Sequence, residues 1–597
     1  MKKTNISLVA SFLLATNLYS QTTTLETITV TSATKSEQKL KDVTANVDVI
    51  TAEDIESRKF KTVIEALNSL SGVSISSYGG IGQLTSLFLR GMDSHRTLVL
   101  IDGVRYNDIT NPQGSANFEH LMINDIERIE VIKGAQSSIW GADASAGVIN
   151  IITKSAQDGT HGNATVEYGR YNSKTTKANI SHKNESFDTK LGITRVDTDG
   201  FSAMTPKGEK AKNYEDDGYE NTSANIKLGY NFNENNRLSG FYEIIDTKVD
   251  YDNTPNDNQS VAKTKTHLAN INYENKNDIA TTNVYANYTD ISREYSYGNF
   301  DGNVKEYGVK STVPYLDESS FVTIGADYKE FEHKNNLNKD YDSKAIFITN
   351  TNKFFDDKTI FTQALRYDRY SDFENKTTGK IGIKQYIIDE LNISSNYGTG
   401  YNVPTIYQLN DITYGNRDLN PEKIKSYDLT VEYKGFSITY FKTKIENMIN
   451  SNSNTWVYEQ IEGTSKIKGT EIAYKNEVVE DTFLNLSYTN LSAKNDKDEY
   501  LARRAKNKFN FGVDYYGLKD FHFNINGEYI GTRYDKVNKQ GASTGNYTIW
   551  NAVVDYDISK NFSTYLKLDN IFNKDYQIVD GYATSQRAAY LGIKASF

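Results

Sequence analysis

The chain has 597 residues, carries a net charge of −10 and has a mean hydropathy of −0.61, so it needs more than one ordinary core unless one unit is a large barrel. No run of 18 apolar residues occurs, which excludes spanning helices but not spanning strands, since only every second barrel residue faces lipid. With no cysteine, disulfides, thiolate metal sites and cysteine nucleophiles are excluded, and no basic stripe points to nucleic acid.

In chain order, Lys2 and Lys3 precede an apolar stretch from Ile6 to Leu18 that is too short to span a bilayer, with small Ser20 after it. This pattern predicts a cleaved export signal over residues 1–20. Residues 21–39 follow as a separate segment, whose Glu26, Thr27, Ile28, Thr29, Val30, Thr31, Ser32 and Ala33 are rich in β-branched side chains. Such a run favours an extended backbone, and a free extended segment can add a strand to a partner's open sheet edge. Residues 40–155 read as a compact α/β unit. Val47-Asp48-Val49-Ile50 is a predicted strand, Thr51 a helix N-cap with Asp54 three residues on, and Val63 to Leu67 a short helix. Leu87 to Leu89, Thr97 to Ile101, Glu130 to Ile132 and Val148 to Thr153 are further predicted strands.

Beyond residue 156 continuous apolar runs give way to alternation. Leu591, Ile593, Ala595 and Phe597 alternate with Gly592, Lys594 and Ser596, and Phe509, Phe511 and Val513 with Asn510, Gly512 and Asp514. One apolar face and one polar face suit a wall between lipid and an aqueous lumen. Roughly 440 residues at about 20 per strand, turn and loop included, give 22 strands, an even and closable number. The abundance of Tyr, 43 against 3 Trp and 6 Pro, suits aromatic girdles on such a wall. The expected fold is an all-β transmembrane barrel of 22 antiparallel strands with an N-terminal α/β domain in its lumen.

Several motifs carry a family resemblance in the right order. They are the segment Glu26–Ala33, then Arg90-Gly91, Leu100-Ile101-Asp102-Gly103-Val104 and Ile126-Glu127-Arg128-Ile129-Glu130-Val131-Ile132-Lys133-Gly134. Gly147-Val148-Ile149-Asn150-Ile151-Ile152-Thr153, Tyr401-Asn402-Val403-Pro404, Leu568-Asp569-Asn570-Ile571-Phe572 and the terminal Phe597 complete the set. Over nearly the whole mature chain the sequence resembles the TonB-dependent outer-membrane receptors. The resemblance implies a monomeric outer-membrane protein of a Gram-negative bacterium, embedded in lipid, that imports a cargo and is not an enzyme. Residues 26–33 are then the TonB box, captured by a TonB-type protein of the inner membrane, and residues 40–155 the plug, whose Arg90, Glu127, Arg128 and Glu130 would pair with polar lumen residues. Phe597 is the signal read by the barrel assembly machinery.

Finer motifs, Tyr78 to Ser86, Gln113-Gly114-Ser115-Ala116, Leu501 to Lys506 and Gly531 to Asp535, are similar to those of the outer-membrane cobalamin receptor. That likeness implies a corrinoid cargo held at the plug apex by Tyr78, Gln83, Leu84, Asn111, Gln113, Ser115 and Asn117. Glycines there let backbone approach a bulky ligand. An acidic group, Glu215 and Asp217 with Asp246 and Asp250 and neighbouring Asp252, supplies hard oxygen ligands of the kind calcium takes, and calcium-ordered loops are implied by the same likeness. Ser202 stands where that pattern expects another acid. A ferric siderophore is the rival cargo. Haem recruits axial histidine, for which only His120 near the apex and His333 in an expected loop are placed.

Overall fold

The computed structural model describes residues 28–597 apart from 258, 317–319, 336 and 453–454. The expected export signal (1–20), residues 21–25, and Glu26 and Thr27 of the box lie outside the described residues.

The plug contains β1 (Thr29–Val30), β2 (Gln38–Lys39), β3 (Val47–Thr51), α1 (Ala52–Arg58), α2 (Val63–Asn68), β4 (Val73–Ser77), β5 (Thr85–Leu89), β6 (Thr97–Ile101), β7 (Val104–Arg105), β8 (Ile126–Lys133), α3 (Ser137–Trp140) and β9 (Gly147–Thr153). Thr51 starts α1 with a capping box, its hydroxyl accepting from the Asp54 N–H while the Asp54 carboxylate accepts from the Thr51 N–H. Its main sheet has the order β3-β8-β9-β6-β7, parallel between β6 and β9 and antiparallel elsewhere. Alternation divides the two faces of this sheet. Val99, Ile101, Ile129, Val131, Ile149 and Ile151 share one core with Ile55 and Leu67 of the helices. Ile132 faces the other way and packs on Val30, Ala33 and Val43 of the incoming chain.

Among the described residues, twenty-two antiparallel strands form one closed barrel around the plug, from the first strand (Gly159–Gly169) to the last (Ala588–Ser596). Closure is made by pairing first with last, Asn163 opposite Ser596 through Gly169 opposite Tyr590. Val166, Tyr168, Leu191, Ile193, Ile381 and Ile383 face outward and are exposed, while Thr194, Lys380, Asn396 and Asp428 face inward and are buried. This is the apolar-out, polar-in pattern of a wall in lipid. No helix among the described residues is long and apolar enough to cross a membrane. Connections on one rim are tight, such as 184–186, 234–235 and 434–435, and on the other they are long, 199–218, 403–421, 531–546 and 570–587. The short-turn rim is periplasmic and the long-loop rim extracellular.

Buried ion pairs seat the plug. Arg96 meets Glu422 at 2.6 and 2.8 Å, and Arg90 meets Glu471 at 3.0 Å through two nitrogens and Asp428 at 3.4 Å. These bidentate, charge-assisted contacts fix orientation as well as position.

Candidate ligand-binding and energy-coupling sites

The plug apex is built from two turns, residues 78–84 between β4 and β5 and residues 106–117 after β7. Gly82 has φ +84 and sits so close to Tyr219 of the barrel that a Cβ there would lie 2.2 Å from the ring. Only glycine fits, and the loop is thereby pressed to the wall. Tyr78 crosses Tyr582 edge to face at 4.9 Å, and its hydroxyl is met by the Arg503 guanidinium. Leu84 is 55% exposed, and Gln113 is exposed as well. Tyr78, Leu84 and Gln113 therefore present side-chain surface at the apex.

Two other residues expected to bind ligand, Gln83 and Asn117, are committed elsewhere. Gln83 is buried and donates from Nε2 to the Asp250 carbonyl at 2.7 Å. Asn117 is buried and donates from Nδ2 to Asp108 at 3.1 Å. Asn111 accepts from the Gln113 N–H at 2.9 Å, and the Ser115 carbonyl accepts from the Asp108 N–H at 3.1 Å. Polar residues in tight turns satisfy their own loop first, so Gln83 and Asn117 hold the apex in shape and offer no free amide. His120 is buried with Nδ1 3.3 Å from the Tyr219 hydroxyl, and burial, with Arg293 next, pulls its pKa down to about 4. His333 is the buried last residue of strand Ser320–His333, not a loop residue. Neither presents an open imidazole.

A vestibule of about 910 Å³ opens between loops 199–218, 531–546 and 570–587, within the usual size of ligand clefts. Its lining is charge-balanced, with Arg170 and Lys207, Lys210, Lys212 and Lys574 set against Asp199, Glu209, Asp216, Asp575 and Asp580.

Beneath loop 199–218 lies a carboxylate cluster of Glu215, Asp217 and Asp252, with one oxygen of each within 4.8 Å of the others. Asp252 stands in place of Asp246 and Asp250. Asp246 is a half-exposed strand residue paired with Lys265 at 3.0 Å, and Asp250 ends strand Asn236–Asp250 with its backbone bonded to Gly218 and Gln83. The chain turns inward only two residues later, at Asp252. The Ala203 N–H donates to Asp217 and the Met204 N–H to Asp252, each at 2.6 Å, and the Ser202 hydroxyl lies 3.5 Å from Asp252. Both Glu215 oxygens, Asp217 Oδ1 and Asp252 Oδ1 are buried without a hydrogen-bond partner. Burial raises the Asp217 carboxyl to about 8, with the Asp252 charge adding to the rise, and Glu215 shifts the same way. These three carboxylates, with four buried oxygens unused, could hold a hard divalent cation.

On the periplasmic side, Ile28 to Ala33 lie against the plug rather than free. The Leu40 N–H donates to the Ile28 carbonyl at 2.8 Å, and Val30 and Ser32 have no exposed surface. Arg128 and Glu130 do not reach the lumen wall as expected. Arg128 pairs with Glu127 and with Glu130 at 3.0 Å, and Glu130 accepts from the Thr31 and Ser32 N–H groups at 3.2 and 3.1 Å. Arg90 alone of that expected set pairs with the barrel. Lys35 lies 3.5 Å from Asp327 and over the Trp140 ring.

The sequence matches two family models, the "TonB-dependent Receptor Plug Domain" over residues 39–148 and "TonB dependent receptor-like, beta-barrel" over residues 153–571. It is 28% identical to the vitamin B12 transporter BtuB of Vibrio cholerae, over 96% of this chain and 95% of the relative. Among solved structures, the siderophore receptor PirA of Acinetobacter baumannii superposes with a TM-score of 0.81 at 17% identity, covering 92% of this chain and 98% of that one. A variant of the ferric enterobactin receptor PfeA of Pseudomonas aeruginosa, bound to enterobactin, gives 0.77 at 18% identity, covering 92% and 99%. These likenesses to solved structures speak to the fold. With both family models spanning most of the plug and barrel just described, the chain belongs to the TonB-dependent outer-membrane receptors.

Proposed function

We propose that this receptor imports a cobalamin-type corrinoid, bound between the plug apex and the extracellular loops. Tyr78, Leu84 and Gln113 are its apex contacts, and residues 26–33 are the segment pulled by an inner-membrane TonB-type protein. The observation that carries the cargo assignment is the likeness to a B12 transporter along almost the full length of both chains. Calcium belongs to the same reading, held by Glu215, Asp217 and Asp252 with its ordering effect on loop 199–218. What supports it is the set of buried carboxylate oxygens left without partners. Import of an intact cargo calls for no covalent chemistry by the receptor. Phe597 is assigned as the signal for the assembly machinery, and the receptor acts as a monomer.

A ferric siderophore is the second reading, favoured by a specific observation. Gln83 and Asn117 are unavailable to a corrinoid's amides, and the vestibule lining, with as many acids as bases, favours neither cargo by its charge. Equilibrium binding of cyanocobalamin to the purified receptor, with calcium and with chelator, beside a panel of ferric siderophores, separates the two. Tight cyanocobalamin binding that weakens on chelation is expected. Siderophore binding without corrinoid binding moves the cargo to an iron chelate and leaves the family assignment standing.

A further inference from the structure

Docked and captured forms of the coupling segment are mutually exclusive. A partner that adds the segment to its sheet needs the backbone N–H and C=O groups of residues 28–33. In the structure Thr29 and Val30 pair with Lys39 and Gln38, and the next two N–H groups are spent on a single carboxylate. Glu130 takes the Thr31 N–H at 3.2 Å, the Ser32 N–H at 3.1 Å and the Ser32 hydroxyl as well. On the neighbouring side Trp140 Nε1 donates to the Ser32 carbonyl at 2.8 Å. Glu130 itself is fully buried in the middle of β8, opposite Val49 on one side and Asn150 on the other, and it is charge-balanced by Arg128 at 3.0 Å.

We infer that Glu130 is the positioning residue that sets how much of the coupling segment is docked, and that Trp140 assists it from α3. This rests on the assignment of residues 26–33 as the segment a TonB-type partner captures. A buried carboxylate accepting three donors from two successive residues is stronger than neutral turn contacts, and each donor left unpaired at a buried site carries its own desolvation cost. Removing the acceptor leaves the plug sheet's ladder intact, because the Glu130 backbone is paired on both edges. It does remove the reason for Thr31 and Ser32 to stay inside. The docked population then falls while the fold and the apex remain as they are.

The test uses the full-length receptor without cargo. The chain has no native cysteine, so a spin label at Thr29→Cys reports on the segment alone. The label is expected to be immobile in the parent protein, and its mobile fraction to rise at least about tenfold relative to the immobile one in Glu130→Leu, with Glu130→Gln in between because it keeps one acceptor. Ser32→Pro removes two of the three donors, the Ser32 N–H and hydroxyl, and leaves Glu130 in place, so it gives the same mobility readout should Glu130→Leu fail to fold. The purified periplasmic domain of a TonB-type protein should bind Glu130→Leu at least about tenfold more tightly than it binds the cargo-free parent, whereas Ser32→Pro, which lacks an N–H the captured strand needs, is read by the label alone. A label that stays immobile in the folded Glu130→Leu or Ser32→Pro receptor overturns the inference. So does equal mobility in Val99→Ala, a core variant far from the segment, since general loosening then explains the effect. If the label is released but the partner domain binds no better, Glu130 still docks the segment and the capture assignment is what fails.

Discussion

His120 and Glu119 sit side by side under the apex and answer pH in opposite directions. Burial first, then the Arg293 charge, holds the His120 pKa down to about 4, below its ordinary value near 6.5. Between those values the unfolded plug binds the proton and the folded one does not. The stabilisation is therefore complete above pH 6.5 and is lost as pH falls toward 4. Burial instead raises the Glu119 carboxyl to about 8, a contribution present at low pH and lost as pH rises toward 8. Between pH 6.5 and 4.5 the two contributions oppose each other, so replacing His120 by Gln is expected to make plug protection rise as pH falls through that window where the parent changes little, measured by hydrogen exchange across residues 116–123, while the limb from pH 6.5 toward 8 is unchanged. At Gly82 the backbone and the space agree, φ +84 with a Tyr219 ring where a Cβ would go. Gly82→Ala should displace the apex and lower cargo affinity by at least about tenfold without lowering the amount of folded barrel. Side-chain roles at this scale were the least legible in the sequence. Tyr78, Leu84 and Gln113 reach the surface, but nothing in the spacing of Gln83 or Asn117 shows that Asp250 and Asp108 claim them first. Asp252 was visible as an acid and not as the third member of the cluster, because its membership depends on where strand Asn236–Asp250 ends.

The elements themselves were plain from pattern. Thr51 with Asp54, the apolar steps from Val63 to Leu67 and the runs that became β6 and β9 all follow from local rules of capping and periodicity. The charged face of β8 was misjudged for a topological reason. Alternation fixes that Glu130 points away from the core of Ile129 and Val131, but only the sheet order decides whether that face looks at the barrel or at the incoming chain. The incoming chain in turn makes the strand pair β1–β2 a competitor of any partner strand. Ile28→Pro removes a donor and restricts the preceding residue, so uptake should fall at least about tenfold with equilibrium cargo binding unchanged. Transport assays on whole cells beside binding to purified receptor check this, and normal uptake would remove the added-strand mechanism.

For the whole molecule, the even strand number and the alternation of lipid-facing and lumen-facing residues were readable because membrane and water impose them on every strand. The seam was readable only in part. Phe597 exchanges backbone hydrogen bonds with Gly162 at 2.9 and 3.0 Å, and its ring occupies the place of a side chain at Gly162, 2.4 Å from where a Cβ would be. In receptor refolded into detergent, where the assembly machinery plays no part, Gly162→Val is therefore expected to reduce the heat-resistant folded form on semi-native gels severalfold, and Phe597→Ala to restore part of it in the double variant. Failure of that rescue would mean that the two residues do not act through their contact. Because the strand that follows the plug is also the one that waits for the final residues of the chain, the molecule has a built-in check on its own completeness. A copy shortened by even a single strand is left with two raw sheet edges in lipid, where no water is present to satisfy them. Only a chain that carries both seam strands can close the wall.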